Sequence, residues 1–115
     1  MAGLVLRTVL VLNQPADPAI RSIAERWVAA TRVEQGVVDF QGYLNEGSGR
    51  FVFLEHYRDS EAFMVHRGLV DPALRAELYA VARFEALEVY GDPSPAVGDA
   101  LSAAGPVSFR TVASR

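Results

Sequence analysis

The stretch from Leu4 to Leu12 is apolar at every position except Arg7 and Thr8, the pattern of a β-strand covered on both faces. Asp17 and Pro18 follow as a helix start. The Asp offers an acceptor at the N-cap, and a proline at the first helical position forfeits an N–H that would have no partner there. Ile20, Ile23, Ala24, Trp27 and Thr31 then recur at helical spacing, with Arg21, Ser22, Glu25, Arg26 and Arg32 on the other side, so a first helix is predicted to end near Gly36. From Val37 to Asn45 the period drops to two. Glu46-Gly47-Ser48-Gly49 supplies turn residues, and a run from Arg50 to Tyr57 completes a predicted hairpin. A four-residue loop sets Asn45 opposite Arg50. That register puts Val38, Phe40, Gly42 and Leu44 on one face with Phe51, Phe53, Glu55 and Tyr57, and this greasier face is expected to lie under the helices. Asp39, Gln41 and Tyr43 share the other face with Val52, Leu54 and His56.

Asp59 can cap a short helix reaching His66, and Asp71-Pro72 repeats the Asp-Pro start for a third helix with Leu74, Leu78 and Val81 on one stripe. Phe84 to Tyr90 reads as a strand. Past Gly91-Asp92-Pro93, Ser94-Pro95 opens a weak helix to Ala104, Gly105-Pro106 stops it, and Val107 to Val112 is a last strand. The order β-α-β-β-α-α-β plus tail defines an α+β class of ferredoxin-like type, an antiparallel sheet with helices on one face. The expected division is an α+β domain over 1–92 and a C-terminal helix–strand extension of the same domain over 93–115.

Composition narrows the chemistry. At 115 residues, half of them hydrophobic, the chain has enough apolar material for one core. A net charge of −3 with scattered acids offers no basic patch for nucleic acid or an anionic membrane. The first apolar stretch is too short to span a bilayer and lacks a signal peptide's basic start and cleavage site, so a soluble, cytoplasmic protein is expected. Cysteine is absent, which removes disulfides, thiol nucleophiles and thiolate metal sites; all eleven basic residues are Arg, which removes Schiff-base chemistry. The two histidines, on different elements, do not make the three convergent ligands a metal needs, so no metal is expected.

The segment Glu55-His56-Tyr57-Arg58-Asp59-Ser60-Glu61-Ala62-Phe63-Met64-Val65-His66 resembles the central signature of the antibiotic-biosynthesis-monooxygenase family, in which a strand ending Glu-x-Trp/Tyr passes an acidic or Ser cap into a helix bearing a His. Glu55, Tyr57, Asp59, Ala62 and His66 hold the matching positions, and Glu34-Gln35-Gly36 resembles that family's Glu-Pro-Gly break. The resemblance spans roughly residues 4 to 90. It implies a homodimeric α+β barrel with a pocket between each sheet and its own helices. It also implies cofactor-independent oxidation of a phenol, quinol or anthrone-like polyketide by molecular oxygen, or cyclisation in the same pocket, or ligand binding without catalysis. Haem cleavage is disfavoured, because the Asn expected on strand one has no match and Tyr57 replaces a Trp.

Within that frame His66 is the candidate base, since imidazole suits proton transfer near neutral pH and a phenolic substrate must lose a proton before it can reduce oxygen. Tyr57 is a candidate hydrogen-bond donor to substrate. Glu55, a carboxylate on an apolar face, needs a partner: it either orients His66 or meets an Arg, with Arg7 the nearest. Trp27, Phe40, Phe51 and Phe53 either wall a pocket for a small aromatic or polyketide-like substrate or are plain core. Asp39 and His56, opposite each other on the far face, read as an interface contact, since no nucleophile stands beside them.

Overall fold

Strand β1 (Leu4–Leu12) runs through the middle of a five-stranded sheet in the order β2-β3-β1-β4-β5, built with β2 (Val37–Asn45), β3 (Arg50–Tyr57), β4 (Ala82–Tyr90) and β5 (Val107–Phe109). The computed structural model describes residues 3–115. Pairing is antiparallel except between β4 and β5, which are parallel. Alternation along β1 sorts its side chains: Leu4, Leu6, Leu10 and Leu12 enter the core with Thr8 between them, and Val5, Arg7, Val9 and Val11 take the opposite face. Helices α1 (Ala19–Thr31), α2 (Ser60–Leu69) and α3 (Pro72–Val81) cover the leucine face, so the sheet has an inner, helix-covered side and an outer one.

Local chemistry explains the boundaries. Asp17 Oδ1 accepts the Ala19 N–H at 2.9 Å, and α1 begins at Ala19 with Pro18 as its cap residue. Asp59 and Asp71 accept the N–H groups of Ala62 and Ala73, giving α2 and α3 their starts. The end of α1 differs from expectation. The helix stops at Thr31, whose hydroxyl donates to the Val28 carbonyl at 2.7 Å while Arg32 N–H bonds Ala29 O, tightening the last turn into a bend that leads to Gly36.

The hairpin has the expected register at its turn, with Asn45 opposite Arg50, but β2 carries a bulge near its start. Val37 faces Tyr57 and Asp39 faces His56, which leaves Val38 unpaired and 59% exposed; Val37 takes the inward position that simple alternation assigned to Val38. A second irregularity lies in β4. Thr8 pairs with Leu87 while Leu10 pairs with Phe84, so one extra residue lets Phe84 and Leu87, three apart, share the inner face.

The tail helix α4 (Pro95–Leu101) starts at Ser94, whose hydroxyl accepts the Val97 N–H, and packs beside α2 with Val97 and Leu101 buried. A 3-10 turn (Ser102–Ala104) ends at Gly105 in the left-handed conformation. β5 then lies along β4 of the same chain, and Phe109 stacks on Tyr90 with ring centroids 4.9 Å apart. No helix among the described residues is long and apolar enough to cross a membrane.

Candidate active site

Glu55 sits on the inner face of β3, flanked by Leu6 of β1 and Phe40 of β2, and is 7% exposed. Both carboxyl oxygens are held. The Tyr57 hydroxyl donates to Oε1 at 2.5 Å and the Thr8 hydroxyl donates to Oε2 at 3.0 Å. Burial pushes the Glu55 carboxyl above its ordinary value, against the opposing pull of the Tyr57 hydroxyl, the His66 charge and the Thr8 hydroxyl. Tyr57 is raised as well, by its own burial and then by the Glu55 carboxylate, so its hydroxyl stays protonated and remains a donor.

His66, on the inward side of α2, is buried between aromatic rings: Phe40 lies 5.3 Å and Tyr57 5.5 Å from it, centroid to centroid. Its Nδ1 is 3.1 and 3.2 Å from the two oxygens of Glu34, with both side chains 7% exposed. Glu34 reaches this position because α1 ends early and the chain doubles back, with Glu34 N–H bonding Thr31 O at 2.9 Å. Gly36 completes the approach. A Cβ there would lie 2.4 Å from the Ala62 Cβ, so only glycine lets this connection lie against α2. With Glu34 at Nδ1, the imidazole has Nε2 left for exchange with a bound molecule.

Glu55, Thr8 and His66 meet in the wall of a cavity of about 440 Å³ between the inner sheet face and the helices. Leu6, Leu10, Phe53 and Leu87 form its floor, Trp27 and Phe63 its apolar sides, and Leu101, Ala103 and Ala104 of the tail close one end. The volume suits a small organic molecule, and apolar walls with a few convergent polar groups are what such a site requires. A smaller cavity of about 210 Å³ adjoins His66 on its other side, lined by Trp27, Glu34, Val70 and Leu74 among others. No three His, Asp or Glu side chains among the described residues converge as a metal seat.

Of the residues singled out from sequence, His66, Glu55, Trp27 and Phe53 come together at the cavity. Tyr57 does not line it: fully buried, it stands behind Glu55 as that residue's donor. Phe40 and Phe51 are core as well, packed on Phe53 at 5.2 and 4.8 Å. Arg7 is a correction. It alternates with Leu6 and Thr8, points to the outer face, and pairs there with Glu88 at 3.1 Å instead of meeting Glu55. Asp39 does lie opposite His56, but its Oδ1 is taken by Phe40 N–H and the Gln41 amide. Thr8, Glu34 and the tail residues were not anticipated. Thr8 was readable, as the one polar position in the inward stripe of β1; Glu34 lies 32 positions from His66 on a loop, and nothing in periodicity joins them.

No protein-family model and no curated protein matches the chain by sequence. Solved structures do match. SnoaB, a cofactor-independent oxygenase from Streptomyces nogalater, superposes with a TM-score of 0.64 at 17% identity, covering 82% of this chain and 96% of its own. A structure described as an antibiotic biosynthesis monooxygenase gives 0.63 at 21% identity, over 80% and 99%. The fold is that of the antibiotic biosynthesis monooxygenases. MupZ from Pseudomonas fluorescens is similar over 100% of this chain and 94% of its own, with a TM-score of 0.88 at 15% identity. The tail is therefore part of an architecture seen in a solved structure.

Proposed function

We propose that this protein is a homodimeric enzyme that carries out proton-transfer chemistry on a small aromatic or polyketide-like molecule held in the larger cavity, and that the reaction is cofactor-independent monooxygenation. The observation that carries the reading is the placement of His66 and Glu55, each anchored by a buried partner, in one apolar wall. His66 Nε2 takes a proton from an acidic phenol or an anthrone-type methylene, and Glu34 stabilises the imidazolium through Nδ1. The resulting carbanion reduces oxygen and combines with it. Protonation of the peroxide and loss of water leave the ketone, with Glu55, whose hold on a proton burial strengthens, as the proton source. Similarity to the fold of SnoaB supports the oxygenase assignment.

Oxygen uptake by metal-free protein with a panel of hydroquinones and anthrones tests it. Turnover above buffer that is lost in His66→Ala is the expected result; equal turnover in that variant rejects the reading. A second reading, cyclisation or isomerisation without oxygen, is favoured by one observation: a candidate base and a carboxyl raised by burial face the same cavity, a set that deprotonates one atom while protonating another. Product formation under anaerobic conditions separates the two.

A further inference from the structure

The mouth of the larger cavity carries a charge pattern that proton transfer does not require. Its exposed wall residues include Arg67, in the last turn of α2, and Arg75 and Tyr79, one turn apart on α3. The chain has fourteen acidic residues against eleven arginines, yet the only carboxylate in this wall is Glu55, on the sheet floor. Arg7, Arg21, Arg26, Arg50 and Arg58 each have a carboxylate within 4 Å, whereas Arg67 and Arg75 have none among the described residues, and of the arginines without such a partner these two alone line this cavity. Asp71, between them in sequence, is engaged at the α3 N-terminus by Ala73 N–H and lines the smaller cavity instead.

We propose that the substrate carries an anionic head, a carboxylate or phosphate, which Arg67 and Arg75 hold at the mouth while its apolar body enters the cavity. Guanidinium groups match both anions through paired N–H donors, and an exposed mouth spares the head the cost of full desolvation. The same arrangement sets orientation. With the head held by Arg67 and Arg75 at the mouth, the end remote from it is the one that reaches His66 and Glu55. This inference rests on the cavity being the substrate site, and it adds which molecules enter and which way round.

Trp27, the single tryptophan of the chain, lines the cavity and gives a direct readout. Quenching of its fluorescence is titrated with 9-anthracenecarboxylate, with 9-anthracenylmethyl phosphate and with the methyl ester of the carboxylate. Binding of at least one charged probe about tenfold tighter than the ester is expected, with the gap narrowing as salt rises, and the tighter charged probe identifies the head. Arg67→Gln/Arg75→Gln, and each single variant in part, should remove the gap while leaving ester affinity unchanged; Arg32→Gln, outside the cavity wall, should keep it. Equal affinity for charged and neutral probes, or a gap that survives the double variant, overturns the anionic head and leaves the cavity reading standing. Failure of all three probes to bind overturns both.

Discussion

Glu34 and His66 face each other at 3.1 Å across the seam between the α1–β2 connection and α2, each almost wholly shielded from water. A buried carboxylate–imidazole contact of this kind fixes which ring nitrogen is free, as the Asp does for the His of a serine-protease triad. Glu34→Gln should fold and bind ligand with little change, yet lose about 10²–10⁴-fold in kcat, the usual contribution of an oriented acid–base group. Steady-state kinetics on the variant, separated into kcat and KM, provide the measurement. A loss confined to KM would show that Glu34 shapes the cavity and does not steer the imidazole.

Glu55 makes stability depend on pH in a direction that can be worked out. Its folded value is raised above the ordinary 4.5, so the folded state holds this proton more tightly than the unfolded chain does. The associated stabilisation is complete below pH 4.5 and is lost as pH rises through the raised folded value. Glu55→Gln has no such proton to lose. Thermal melts of wild type and variant from pH 4 to 8 should show a gap favouring the variant that opens as pH rises; a constant gap would mean that the carboxyl is not desolvated.

Gly36→Ala should destabilise the protein by about 1–3 kcal/mol, the usual range for overpacking, because its new methyl meets the Ala62 Cβ at 2.4 Å. The displaced connection also carries Glu34, so activity should fall alongside stability. Ala62→Gly in the same chain should return part of both, and urea denaturation of the two single variants and the double supplies the cycle.

The outer sheet face bears on assembly. Val9, Val52, Leu54 and Tyr43 lie on it, with Leu54 37% and Tyr43 54% exposed. If the proposed homodimer forms through this face, Leu54→Glu should sediment as a monomer with unchanged far-UV circular dichroism while wild type sediments as a dimer. A wild-type monomer at micromolar concentration would rule the dimer out.

Much of this architecture is written in local pattern. The leucines of β1, the Asp caps at Asp59 and Asp71, and the turn between Asn45 and Arg50 each depend on neighbours in sequence, and each lies where those neighbours put it. The two bulges are different in kind. Val38 and the residues between Phe84 and Leu87 break a strict alternation, and only packing against a whole sheet decides where the extra residue goes. Arg7 shows information present but overridden: its parity with Leu6 excluded a contact with Glu55, and proximity to a carboxylate in need of a partner was the weaker guide. Glu34 was out of reach, because its contact with His66 depends on where α1 stops and on how closely Gly36 approaches Ala62.

Thr8 and Ala104 border one cavity although ~100 residues of chain lie between them, so closing that wall carries a large loop-closure entropy. Contacts of such long range tend to form after local ones, which places completion of the pocket behind formation of the hairpin. A ligand that needs the finished wall would then have nothing to grip in the folding transition state. It would leave the folding rate alone and act on the protein's lifetime, by slowing its unfolding.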